Sequence, residues 1–216
     1  MSEQNINRRI YHFILQTFSR TGKPPSVLAI AAEFKIPELT VVDGYLTAIE
    51  VEGGIYRDSI TGNILSAYPF SATPTNHRVF FGENRQVFAM CAIDALGIPF
   101  MLDTDATINS TCSQCGKVLS VGIANGQITT NSDELVVIYT TPRAECCAAT
   151  ELCPYINFFC STTHAKDWQD SQPHLETKTL TLPEALELAK VVFGNLFNEN
   201  AASIWVGLNG KESKKT

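Results

Sequence analysis

The chain has 216 residues, 44% hydrophobic and 18% charged, with a formal net charge of −6. That is an ordinary globular composition, long enough for one large domain or two small ones. The polar start MSEQNINRRI and the lack of any apolar run of about 18 residues argue against a signal peptide and a membrane span, so a cytoplasmic protein is expected.

Residues 8–19 (RRIYHFILQTFS) place Ile10, Phe13, Ile14 and Phe18 at helical spacing. GKPP at 22–25 is a break. Residues 26–36 form a second predicted helix, and residues 37–50 a third, with Pro37 near its first turn. Two short strands should follow around a turn at Thr61-Gly62-Asn63. Three helices and a β-ribbon make a winged helix-turn-helix pattern over residues 1–76. The third helix, however, carries Glu38, Asp43 and Glu50 and no Lys or Arg. Phosphate contacts supply most non-specific DNA affinity, so this helix is a packing element rather than a groove reader. The acidic excess lies in residues 81–216, with nine basic and fifteen acidic side chains against seven of each in residues 1–80. No electrostatic footprint for nucleic acid results.

HRVFF (77–81) is a predicted strand, GEN a turn, and 85–96 a buried helix stopped by Gly97 and Pro99. Residues 104–141 alternate short strands with turns at Ser113-Gln114, Asn125-Gly126 and Asn131-Ser132. Residues 153–160 are an apolar strand that begins at Cys153-Pro154. AKDWQ is a short helix and LETKTLTL a strand. Thr181 and Glu184 have capping-box spacing for a last helix to about Phe197. The fold class is therefore α+β: a winged-helix-like N-terminal region packed on a region of antiparallel strands and helices. The corresponding division is 1–76, 77–209 and a frayed tail at 210–216.

Seven cysteines, Cys91, Cys112, Cys115, Cys146, Cys147, Cys153 and Cys160, stand in a chain without an export signal. Such thiols are core residues, metal ligands or nucleophiles more often than disulfides. Cys91 and Asp94, three apart, fall on one helix face, with Cys91 near the N-terminal dipole that favours thiolate. Asp94 is flanked by Ala92, Ile93, Ala95 and Leu96. Desolvation there should raise its pKa until it holds a proton near neutrality. Spacing alone equally allows a buried cysteine and a capping aspartate. Cys112-Ser-Gln-Cys115 is half of a zinc knuckle, or a thiol pair in a turn. A second spaced pair is not evident, since Cys146 and Cys147 are adjacent. His12, His77, His164 and His174 form no HxxxH or HExxH spacing, and no glycine-rich phosphate loop is present.

Three blocks carry a family resemblance. FAMCAIDALGIPFML resembles a block of the organomercurial (alkylmercury) lyase family. In it a helix-borne cysteine is followed three residues later by aspartate, then by a proline-containing apolar run. INSTCSQCGKVLSV resembles the strand–turn–strand block that follows. LCPYINFFCSTTHAKDW resembles the block with the second active cysteine, a Phe-Phe pair and a downstream Asp-Trp. They occur in family order, and the weaker match of helices plus ribbon reaches back to about residue 8.

The resemblance implies a fold like the one read above and protonolysis of a carbon–mercury bond. It places the catalytic cysteines on Cys91 and Cys153, the proton-donating aspartate on Asp94, and a structural cysteine on Cys112. The same three catalytic residues would surround the Hg(II) product, with no cofactor required. Low-molecular-weight thiols or a mercuric reductase would remove the product. No nucleic-acid or membrane partner is implied. Cys115, Pro154, Cys146 and Cys147 depart from the family pattern, and leave open whether mercury also lodges at the extra thiols. Phe88, Phe158 and Phe159 are candidate walls of the pocket, or ordinary core. Two other readings remain: a protein that sequesters a soft metal without cleavage, and a metal-responsive winged-helix regulator.

Overall fold

The computed structural model describes residues 3–130, 134–140, 148–194 and 196–197. The turn at Asn131-Ser132, Cys146, Cys147 and the tail at 210–216 lie outside them.

Three helices open the chain. Helix α1 (Glu3–Thr21) buries Ile10, Tyr11, Ile14, Leu15 and Phe18, one face of a 3.6-residue period. Helix α2 (Val27–Phe34) starts where the Ser26 hydroxyl accepts the Ala29 N–H at 3.2 Å, and ends at Lys35 in the left-handed region. Helix α3 (Leu39–Val51) buries Val42, Leu46 and Ile49. It begins two residues after Pro37, which stands just ahead of its first turn. Strands β1 (Ile55–Arg57) and β2 (Ile64–Ala67) then pair antiparallel. Arg57 of β1 reaches back to Asp43 at 2.6 Å and Glu50 at 2.9 Å, so two of the acids of α3 bind their own ribbon.

That ribbon is not free-standing. Strand β3 (Phe70–Ser71) joins it to β4 (His77–Phe81), β5 (Arg85–Ala89), β6 (Ala106–Thr111), β7 (Val118–Ala124) and β8 (Gln127–Ile128). Together they form an eight-stranded sheet in the order β1-β2-β3-β5-β4-β6-β7-β8. A second sheet has β9 (Val136–Thr140) between β10 (Asn157–Phe159) and β11 (Thr177–Thr181). The described pairings are antiparallel throughout, giving the α+β class. Helix α4 (Ala92–Leu102) follows β5, α5 (Thr162–Asp170) follows β10, and α6 (Leu182–Phe193) follows β11. The Thr181–Glu184 capping box opens α6, which ends four residues short of Phe197. No described helix is long and apolar enough to cross a membrane.

Three expectations are corrected, the first being the strand over 153–160: Cys153–Tyr155 is a 3-10 turn and the strand is only Asn157–Phe159. Residues 85–96 are not a single helix: 85–89 is strand β5, in register with β4 through Val79 and Val87. The turn 82–84 has Gly82 and Asn84 at φ of 52° and 62°, which suits a tight reversal between paired strands. Nor do Gly97 and Pro99 stop the helix. Nine of the eleven residues of α4 are buried, and that packing overrides the local propensity. The end comes at Asp103, in the left-handed region, where the Thr104 N–H returns to the Pro99 carbonyl at 3.0 Å.

Candidate active site

Cys91 sits between β5 and α4 in extended conformation (φ −148°, ψ 179°), as the N-cap of the helix. Its sulfur accepts the Asp94 N–H at 3.4 Å, using one of the free donors of the first turn. The next donor, Ala92 N–H, bonds the Ile156 carbonyl at 3.0 Å, and the Ile156 N–H bonds the Cys153 carbonyl at 3.1 Å. This lashes the start of α4 to the one-turn 3-10 segment that begins at Cys153. The Cys153 thiol donates to Asp94 Oδ2 at 3.6 Å, across 59 residues of chain. The two sulfurs and the carboxylate all lie within 4.8 Å of one another. Cys91, Asp94 and Cys153 are 2%, 3% and 4% exposed.

Burial dominates the electrostatics. The Asp94 carboxyl is pushed up to about 7, mainly by desolvation, with hydrogen bonds from both thiols pulling the other way. Burial also pushes the Cys91 thiol well above its ordinary value. For Cys153, the hydrogen bond with Cys91 favours thiolate, but burial and the nearby Asp94 charge outweigh it, and the net direction is up. The helix dipole therefore does not make Cys91 a resting thiolate, as its place at the helix start suggested.

Tyr68 is a neighbour that sequence reasoning missed. Its hydroxyl stands 3.6 Å from the Cys153 sulfur, and its carbonyl accepts the Tyr11 hydroxyl of α1 at 3.0 Å. Burial, then the negative charges of Cys153 and Asp94, push its phenol up, so it remains an O–H donor. No spacing signal points to a tyrosine 85 residues before its partner.

A cavity of about 500 Å³ reaches this site at Cys153, lined also by Leu65, His77, Met90, Pro154 and Asn157. Cys91 and Asp94 are not among its lining residues. His77 is pushed down to about 4, chiefly by burial, and its Nδ1 lies 2.9 Å from the Ser110 hydroxyl. It is a neutral wall, not a base. The aromatic residues suggested as walls do not line this cavity. Phe158 and Phe159 are fully buried against His77 and Trp168, and Phe88 lies under the Arg78 guanidinium. They are core.

The turn 112–115 lies elsewhere. Cys112 and Cys115 meet Cys160 and His164, which sequence reasoning had not joined to them. The Cys-x3-His spacing at the start of α5 was the available signal.

Two soft sulfurs with a protonated oxygen at hand can hold a thiophilic metal and deliver a proton to an atom bound to it. A family model described as alkylmercury lyase matches residues 70–194. An alkylmercury lyase of Staphylococcus epidermidis is 28% identical over 172 residues, 78% of this chain and 74% of that protein. One of Bacillus cereus is 29% identical over 128 residues, 59% of this chain and 57% of its own length. Among solved structures, the mercury-bound form of MerB2 is similar at a TM-score of 0.69 and 26% identity, covering 88% of this chain and 96% of that one.

Proposed function

The chain belongs to the alkylmercury lyase family, and from that premise we propose that Cys91, Asp94 and Cys153 cleave the carbon–mercury bond of organomercurials. The observation that carries the assignment of residues is the buried convergence of two thiols and one proton-holding carboxyl within 4.8 Å. A pair of thiols suffices to bind mercury; only cleavage needs the third group.

The substrate arrives as R–Hg–SR′ through the cavity that Cys153 faces. In the fraction of molecules whose Asp94 is ionised at neutral pH, the Cys153 sulfur attacks mercury, its proton passes to the Asp94 carboxylate and R′S⁻ departs. The departing thiolate takes the proton of Cys91, leaving as R′SH, and the Cys91 thiolate adds to mercury. Two thiolates raise the electron density on the metal, so the carbon–mercury electron pair is ready to be protonated. Asp94 gives its proton to carbon, R–H leaves, and Hg(II) remains on the two sulfurs. In sum, R–Hg–SR′ and two cysteine thiols give R–H, R′SH and Cys91–S–Hg–S–Cys153. Two further thiols, from small molecules or a mercuric reductase, exchange the product out and restore both cysteines. A water-poor site strengthens each charge interaction and keeps Asp94 supplied with its proton.

Residues 1–76 act in this reading as a winged-helix-like buttress to the catalytic part at 77–209, since Tyr68 bridges from α1 to Cys153.

Single-turnover methane release from methylmercury is the test. Cys91→Ser and Cys153→Ser should each abolish it. Asp94→Asn should slow it by about 10²–10⁴-fold, the usual worth of a general acid. Intact-mass measurement of that last variant should show the methylmercury adduct retained. Methane release at the wild-type rate from either serine variant would remove the assignment.

A further inference from the structure

Outside the catalytic trio, four ligands of metal-binding type meet at the junction of the two sheets. Cys112 and Cys115 come from the turn between β6 and β7, and Cys160 and His164 from the end of β10 and the first turn of α5. The four donor atoms lie within 4.8 Å of one another. Cys115 and Cys160 sulfurs are 3.8 Å apart, Cys160 sulfur and His164 Nδ1 3.0 Å, and Cys112 sulfur and His164 Nδ1 3.8 Å. A tetrahedral zinc with bonds of about 2.3 Å to sulfur and about 2.0 Å to nitrogen has ligand–ligand edges of roughly 3.5–3.8 Å. A disulfide would need its sulfurs at about 2.05 Å, far closer than Cys115 and Cys160 stand.

The backbone is arranged for thiolates. The turn Cys112-Ser-Gln-Cys115-Gly116 closes through Gly116 N–H to the Cys112 carbonyl at 2.8 Å, with Gly116 at φ 72°, a conformation glycine adopts freely. The backbone N–H groups of Cys160, Cys115 and Gln114 are directed at the Cys112 sulfur, with the His164 ring beside it.

We propose that Cys112, Cys115, Cys160 and His164 form a structural zinc(II) site that pins the β6–β7 turn to the segment running from Cys153 through β10 into α5. Three sulfurs and one imidazole nitrogen, with no carboxylate, select a borderline-soft tetrahedral ion, and four protein ligands leave no open position for catalysis. The Ser113 N–H bond to the Phe158 carbonyl at 3.1 Å already crosses the same junction. The site fixes the far end of the strand whose near end positions Cys153. It rests on its own four residues and stands whether or not the lyase reading does.

The untagged full chain is purified under reducing conditions from zinc-supplemented cells, and its metal content is measured by mass spectrometry. About one zinc per chain is expected for the wild type and for a Cys91→Ser/Cys153→Ser double variant, against less than about a tenth for Cys115→Ser and Cys160→Ser. Because those two variants could misfold, the metal-free wild type is also titrated with cobalt(II). Saturation at one equivalent, with intense tetrahedral d–d bands and thiolate-to-cobalt charge transfer, supports the site. Wild-type protein without zinc and without those bands overturns it. So does zinc that survives Cys115→Ser but is lost from the double variant, or a Cys115–Cys160 disulfide in the reduced protein.

Discussion

Asp94 owes its proton to its surroundings, and that has a consequence for stability. In the unfolded chain the carboxyl ionises near 3.8, while in the folded protein it holds its proton up to about 7. Between these values the folded state binds more protons than the unfolded one, so stability falls as pH rises. The contribution is fully present below the unfolded value and is lost as pH passes through about 7. Three units correspond to about 4 kcal/mol at about 1.4 kcal/mol each. Asp94→Asn has nothing to ionise, so urea denaturation between pH 4 and 8 should show the variant gaining on the wild type by a few kcal/mol. Parallel profiles would mean that Asp94 is not the buried acid described. Tyr68 offers a second residue-scale test. A hydrogen bond to a charged group contributes about 1.5–3 kcal/mol, so Tyr68→Phe should slow mercury capture at Cys153 at neutral pH by tenfold or more. Stopped-flow thiol modification measures it, and an unchanged rate would leave the hydroxyl without a role. The residue types were legible in the sequence: an aspartate three after a cysteine in an apolar run, and a second cysteine in another. Tyr68 and the Cys160–His164 pair were not. Their partners are 85 and about 50 residues away, and no local period encodes such a meeting.

Elements were legible where one periodicity ran undisturbed. The face of α1 and the capping box of α6 could be read directly, because a helical stripe and a Thr-x-x-Glu motif are local. The boundary between β5 and α4 could not. Val87, Ala89, Ala92, Ile93, Ala95 and Leu96 make a continuous apolar run, and buried strand and buried helix then look alike. That error matters to the chemistry, since it put Cys91 inside a helix when it stands at the cap and turns its sulfur toward Asp94. Gly97 shows why α4 passes through a residue expected to stop it. A methyl group there would overlap the ring of Phe193, so only glycine lets α6 approach this closely. Gly97→Ala sets a helix-propensity gain of about 1 kcal/mol against an overpacking penalty of about 1–3 kcal/mol. The Phe193 ring is itself only 2% exposed and has little room to retreat, so the penalty should win. A fall in the urea midpoint with unchanged slope is the expected result. A more stable variant would show that α6 can slide.

At the scale of the molecule, the question is whether the N-terminal helices form a unit of their own. The sequence showed three helices and a ribbon, but an amphipathic face carries no address for the surface it covers. In the structure that address is internal. Phe18 of α1 stacks on Phe70 of β3 at 5.4 Å, and Tyr11 holds the Tyr68 carbonyl. Arg57 ties α3 to β1, whose partner strand continues into the eight-stranded sheet. Losing α1 would uncover Phe70, which is wholly buried, and remove the Tyr11 hydrogen bond to the carbonyl of the residue whose hydroxyl meets Cys153. Fully burying a side chain of this size stabilises by about 1.5–3 kcal/mol, and several such contacts cross this junction. A separate module would lose its helices at lower urea than the thiol site opens. One cooperative unit would lose both together. Far-UV circular dichroism reports the helices, and reaction of Cys91 and Cys153 with a thiol reagent reports the opening of the site. Their urea transitions should superimpose, because the contacts from Tyr11 through Tyr68 to Cys153 join the two halves. Helix signal lost while both thiols stay protected would place the boundary near residue 76 and make the N-terminal part dispensable for holding the site.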